Sequence, residues 1–140
     1  MIRKRKADNA TKIFYNLEQL KKICAEWQTR LKLQDWTIDV KLVRYYEDIE
    51  GLAGQIEWWE HTREAVIRLL DPHDIPEPPR HGTASTDLET VLVHELLHLH
   101  FACCTNAKAH PPDSPSRIMI EQSINAITMG LINLKRESNN

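Results

Sequence analysis

Apolar residues recur at helical spacing, then at strand spacing, then at helical spacing again along this chain. Ile13, Leu17, Leu20, Ile23, Cys24, Trp27 and Leu31 return every three or four positions with Lys and Glu between them. That predicts an amphipathic helix over 12–33. From Trp36 the period shortens to two: Trp36, Ile38, Val40 and Leu42 alternate with Thr37, Asp39, Lys41 and Val43, as in a half-buried strand. Residues 45–54 hold two glycines and three acids and predict a loop. Leu52–Trp59 and Ala65–Leu70 follow as second and third strands, joined across Glu60-His61-Thr62-Arg63. On a strand Trp58 and Trp59 point to opposite faces, one toward the core and the other toward a subsite or an outer cover.

The segment 71–85 carries Pro72, Pro76, Pro78 and Pro79 and is expected to be irregular. A second helix is predicted from about 87 to 104, with the Thr86 hydroxyl as N-cap and Glu89 at N3 forming a capping box. Its apolar stripe reads Leu88, Val91, Leu92, Leu96, Leu99 and Cys103. After a polar connection over 105–114, Ser114-Pro115 pairs a hydroxyl cap with proline at N1. The last helix then runs to about Arg136 on Ile118, Ile120, Ile124, Ile127, Leu131 and Leu134. Helix, three strands, helix, helix is the order of an α+β domain with a small sheet packed on helices.

At 140 residues there is room for one domain with a modest core. A net charge of -2 provides no field to gather nucleic acid, so none is expected as a partner. Arg3-Lys4-Arg5-Lys6 reads as part of a flexible basic N-terminus over 1–11, ahead of a folded unit at 12–136 and a flexible tail at 137–140. No stretch is long and apolar enough to span a bilayer, and the basic run lacks the hydrophobic segment of a secretory signal. A soluble, cytoplasmic protein with no membrane partner is the expectation. Three cysteines, two of them adjacent at Cys103-Cys104, make no disulfide framework and suit reduced thiols.

Chemistry concentrates in His94-Glu95-Leu96-Leu97-His98. Residues four apart project from one helix face, so two neutral imidazoles can converge on one tetrahedral ion, with Glu95 beside the open position. His94 and His98 lie off the centre of the apolar stripe, where a helix anchored in the core presents them to a cleft. A catalytic zinc needs a third protein ligand, and Glu121 is the leading candidate. Its helical neighbours Ile124, Asn125 and Thr128 put it where the apolar stripe shades into a polar seam. A carboxylate there needs a partner to be buried, which a dication supplies. Asn125 is placed to hydrogen-bond a ligating imidazole. His110, in a loop, is the rival third ligand, whereas His100 faces elsewhere on a continuous helix. Cys103 reads as a small buried residue, and Cys104 lies too far along the helix to share the ion comfortably.

With its His-Glu-x-x-His helix and a candidate glutamate ligand on a following helix, the chain resembles the gluzincin zinc peptidases. More narrowly it resembles the single-domain minigluzincins, over nearly its whole length. The resemblance implies a zincin-like α+β domain: a backing helix, a mixed sheet of three or more strands, an active-site helix and a glutamate helix. It implies Zn2+ held by His94, His98 and Glu121, and Glu95 as general base for hydrolysis of a peptide or protein substrate through a metal-bound water. An aspartate often stands four residues after the glutamate ligand in larger gluzincins; here Asn125 takes that place, removing a charge behind the imidazole. Phe101 and Cys104 exclude the metzincin pattern, which wants glycine and histidine there. The SprT-like peptidases, with a third histidine, keep His110 open as a ligand.

The oxyanion-stabilising group has no motif. Tyr45, Tyr46, His61, His73, His110 and Arg117 are chemically able, with His110 and Arg117 ranked first for nearness to Glu121. An extended peptide is expected to pair with an edge strand, either Leu52–Trp59 or Ala65–Leu70. Other readings stay open: a closed structural zinc site in a binding module, an unliganded scaffold, and a latent peptidase blocked by its own loop or tail. A regulator-cleaving peptidase that needs a partner protein is a further one.

Overall fold

The computed structural model describes residues 15–44, 53–71, 73, 87–104 and 108–139. The basic run at 3–6, the expected first helical turn at 12–14, Tyr45, Tyr46, Leu52, Thr86 and most of the proline-rich segment lie outside the described residues.

Asn16 starts the first helix, α1 (Leu17–Arg30), through a reciprocal cap. The Gln19 N–H donates to its Oδ1 at 2.8 Å, and its own N–H donates to Gln19 Oε1 at 2.9 Å. Leu20, Cys24 and Trp27 form the buried face. The helix ends three residues short of the expected 33 because Lys32 adopts a left-handed backbone at φ 61°. The Lys32 and Leu33 N–H groups then reach back to the Thr29 and Gln28 carbonyls at 3.3 and 2.8 Å, closing the helix as a Schellman turn. Leu33 swings into the core. The Gln28 carboxamide donates to the carbonyls of Leu33 at 3.2 Å and Trp36 at 2.9 Å, fixing the path into the sheet.

Three strands follow: β1 (Thr37–Val43), β2 (Gly54–Trp59) and β3 (Glu64–Leu70). The spatial order is β1-β3-β2, with β1 parallel and β2 antiparallel to the central β3. Of the two segments expected to offer an edge, therefore, β2 does so among the described residues and Ala65–Leu70 does not. Val40, Ala65, Ile67 and Leu69 are buried on the inner face, with Ile56 and Trp58 packed against the same core. The outer face carries Asp39, Lys41, Glu57 and Arg68; Trp59, on that side, is 48% exposed. This is the period-two alternation of a half-buried sheet, broken at its end by Val43 and Leu70, which are buried on the outer side.

The central helix, α2 (Leu88–His98), is buried almost all round, by Leu88, Val91, Leu92, Val93, Leu96 and Leu97. Its cap differs from the sequence expectation. Asp87 is the N-cap, accepting from the Thr90 N–H at 3.3 Å, and Glu89 turns inward. There the Trp27 indole N–H donates to Glu89 Oε1 at 2.8 Å and the Lys135 ammonium donates to the same oxygen, stronger partners than one backbone amide. After His98 the chain tightens into a 3-10 helix over Leu99–Cys104. Fewer residues per turn rotate the stripe, so Leu99 stays buried while Cys103, expected inside, is exposed.

The last helix, α3 (Pro115–Ser138), starts as predicted on Ser114, whose Oγ accepts from the Arg117 N–H at 3.3 Å. Its buried residues are Ile124, Thr128 and Ile132, a single row of four-residue steps. Ile118, Ile127 and Leu134, assigned to the inward stripe, are exposed. One ridge against α2, rather than a broad face, carries the packing. The result is the α+β, zincin-like plan: α1 behind, a three-stranded mixed sheet, a helix with His94 and His98, and a helix with Glu121. Among the described residues no helix is long and apolar enough to cross a membrane.

Candidate metal centre

His94 and His98 stand one turn apart on α2, their ring centroids 5.1 Å apart and their planes inclined at 66°. The burial of α2 on its other faces fixes this orientation. Glu121, two turns into α3, reaches across to both: His94 Nε2 lies 3.4 Å from Oε2 and His98 Nε2 lies 3.2 Å from Oε1. Among the described residues these three form a group with one ligand atom each, all within 4.8 Å of one another. For zinc bonded at about 2.0–2.1 Å, two ligands of a tetrahedron stand roughly 3.3 Å apart. The two imidazole–carboxylate separations lie near that edge but run to different oxygens of Glu121, and the donors taken one atom each stand within 4.8 Å of one another, close to a zinc tetrahedron rather than at it. Two nitrogens and one carboxylate oxygen also form a donor set suited to zinc, so the residues fit the ion.

The electrostatics follow from the same contacts. Burial acts to lower the His94 pKa, but the hydrogen bond to Glu121, the charges of Glu95 and Glu121 and a hydrogen bond with Asn125 outweigh it. The net direction is upward. His98 goes down, mainly through burial, with the Glu121 charge opposing and His94 and Arg117 adding. The hydrogen bond from His94 holds Glu121 below the usual carboxylate range against the effect of burial.

Glu95 is buried, and desolvation pushes its pKa up to about 7; the nearby His94 opposes this and the Glu121 carboxylate reinforces it. The start of β2 packs directly upon it. A Cβ on Gly54 would stand 2.6 Å from Val91 Cγ1 and 3.3 Å from both Cγ and Oε1 of Glu95. Only a residue without a side chain lets the strand pass this close. A pocket of about 370 Å³ opens here, walled by the start of β2, by Thr90, Val91, His94 and Glu95 of α2, and by Asn125, Thr128 and Met129 of α3.

The predicted site residues divide accordingly. His94, Glu95, His98 and Glu121 come together, and Asn125 bonds His94 as its spacing suggested. Arg117 stands one turn before Glu121, with its charge acting on His98 and Glu121. His110 is not brought into the group of three; its Nδ1 pairs with Ser116 Oγ at 2.7 Å. His100 Nε2 bonds the Leu31 carbonyl at 2.8 Å, tying the 3-10 helix to the end of α1. His61 is exposed in the β2–β3 turn and His73 is exposed after β3. Gly54 and Thr128 were not singled out for the site by sequence. A glycine inside a predicted strand was the available signal for the first, and the second was read only as a neighbour of Glu121 on the polar seam of its helix. No protein-family model matches the chain, and a search of the curated proteins finds no match.

Proposed function

We propose that this protein is a zinc-dependent endopeptidase of the gluzincin kind, similar in plan to the minigluzincins, with Glu95 as its general base. The observation that carries the reading is a buried carboxylate with a pKa of about 7, adjacent in α2 to one member of a His/His/Glu donor set. Structural zinc sites close with four protein ligands, whereas hydrolytic ones use three and leave a position for water or substrate. Among the described residues the donor set numbers three, and an acid–base group stands beside it, which favours the second arrangement.

Zinc bound by His94, His98 and Glu121 supplies Lewis acidity, which activates water and polarises a carbonyl. Glu95 takes the proton from the attacking water and passes it to the leaving amine, a shuttle suited to a carboxylate poised near neutrality. Asn125 positions the His94 ring. Arg117 is the favoured candidate for stabilising the oxyanion, because its charge is already felt at His98 and Glu121. His110 is the second candidate. An extended peptide pairs along β2, whose first residue adjoins Glu95.

The test is zinc content and peptide hydrolysis on protein purified without chelator. His94→Ala, His98→Ala and Glu121→Ala each lose zinc. Glu95→Gln keeps zinc while hydrolysis falls by about 100-fold or more. Zinc retained by Glu121→Ala, or full turnover by Glu95→Gln, overturns the assignment.

A further inference from the structure

We propose that the cleft at the turn between β2 and β3 is a distal subsite, which holds an arginine or lysine side chain of a peptide bound along β2. The inference rests on the peptidase reading, since the cation arrives on a peptide ligand. The cleft has a volume of about 570 Å³ and is lined by Trp58, Trp59, Glu60, His61, Thr62 and Glu64. None of these belongs to the metal donor group. Trp58 is anchored against the core, whereas Trp59 is 48% exposed. A large aromatic open to solvent at a cleft is the residue type that anchors bound partners. Trp59 and Glu64 are direct partners across the two strands, so a ring and a carboxylate share one face of the sheet. Neither Glu60 nor Glu64 has an ion pair among the described residues. Arg63, in the same turn, is paired with Asp35 ahead of β1 and does not line the cleft. Arg68, on the outer face of the sheet, is paired with Glu57 at 2.6 Å.

Indole rings and carboxylates without partners select charge and shape together. The face of a tryptophan attracts a cation, and the two carboxylates act in the same direction. A guanidinium also stacks flat on an indole and donates in a fork to a carboxylate, so arginine is favoured over lysine. An acidic side chain is repelled, and an aliphatic one gains no charge pairing. The place of the cation along the peptide follows from the sheet. β2 is an edge strand among the described residues, and its first residue, Gly54, adjoins Glu95. Trp59 is its last residue, about 17 Å farther on at roughly 3.3 Å per residue. A peptide paired along β2 with its scissile bond beside Glu95 therefore brings a side chain to the cleft about five residues from that bond.

The experiment titrates the full chain with N-acetyl-arginine methylamide and with its neutral isostere, N-acetyl-citrulline methylamide. NMR signals of the Trp58 indole and the Thr62 amide report binding, which needs neither zinc nor turnover. Arginine is expected to bind roughly 5-fold more tightly than citrulline. Trp59→Ala and the Glu60→Gln/Glu64→Gln pair each bring that ratio to about 1, while Trp59→Phe retains part of it. All three side chains are exposed, so these variants keep the fold, and unchanged signals elsewhere verify it. Peptides with arginine or citrulline about five residues before or after the cleaved bond are then compared as substrates. One of the two arginine placements is expected to lower KM by about 5-fold with kcat unchanged, a gain that Trp59→Ala removes. Equal titration by arginine and citrulline, a ratio kept in Trp59→Ala, or cleavage with KM indifferent to both placements overturns the proposal. Absence of all hydrolysis with the arginine titration intact would sink the peptidase assignment and keep the cation site, so the two failures are distinguishable.

Discussion

Cys24 shows how a single buried group sets a pH limit. It faces the core from α1 and is 3% exposed, with its thiol donating to Gln28 Oε1 at 3.9 Å. Desolvation raises its pKa from an ordinary 9.0 to about 11. The folded state therefore holds this proton more tightly than the unfolded chain. The resulting stability is complete below pH 9.0 and is lost as pH rises toward about 11, where the unfolded thiolate forms first. Urea unfolding of wild type against Cys24→Ala, from pH 8 to 10.5, is expected to show a pH-dependent difference of up to ~2 kcal/mol. A constant difference would remove the argument. At this same scale the candidate metal donors were legible. His94, His98 and Glu121 belong to residue types that bind zinc, and helix geometry alone brings the first two together. Glu89 was misread because a capping box is a local pattern, whereas its observed partners, Trp27 and Lys135, lie 62 and 46 residues away.

Among the elements, β2 and α2 approach more closely than side chains normally permit. Gly54→Ala would put a methyl 2.6 Å from Val91 Cγ1, so the strand or the helix must yield. The expected cost is about 1–3 kcal/mol, read by urea denaturation, and the Gly54→Ala/Val91→Ala pair is expected to show a coupling rather than a sum. Additive costs would mean that the contact carries no strain. Element order and type were readable from hydrophobic period. Their ends were less so, because tertiary contacts set them. A left-handed Lys32 stopped α1, a tightened turn after His98 rotated Cys103 outward, and α3 buried the row Ile124, Thr128 and Ile132 in place of the wider stripe. Periodicity locates an apolar face; it does not say how much of that face a neighbour covers.

Across the whole molecule, the three helices are joined at the end away from the metal donors by a charge cluster centred on the buried Glu89. Glu89 receives the Trp27 indole and the Lys135 ammonium, Lys135 also meets Glu26 at 3.3 Å, and Arg136 meets Asp87 at 2.6 Å. Lys135 additionally lies 5.4 Å from the centre of the Trp27 ring. Glu89→Gln leaves the buried ammonium without its principal carboxylate, and a loss of about 3–5 kcal/mol is expected from chemical denaturation. A loss under ~1 kcal/mol would place the cluster among ordinary surface pairs.

Glu121 and Lys135 stand on the same unbroken helix, separated along its axis by about 21 Å at 1.5 Å per residue. A rod clamped at one tip and resting on a narrow row of side chains behaves as a lever, with Thr128 near its fulcrum. A shift at the lysine end would be carried toward Glu121, so any grip of this carboxylate on a cation would depend partly on charges that never touch the ion.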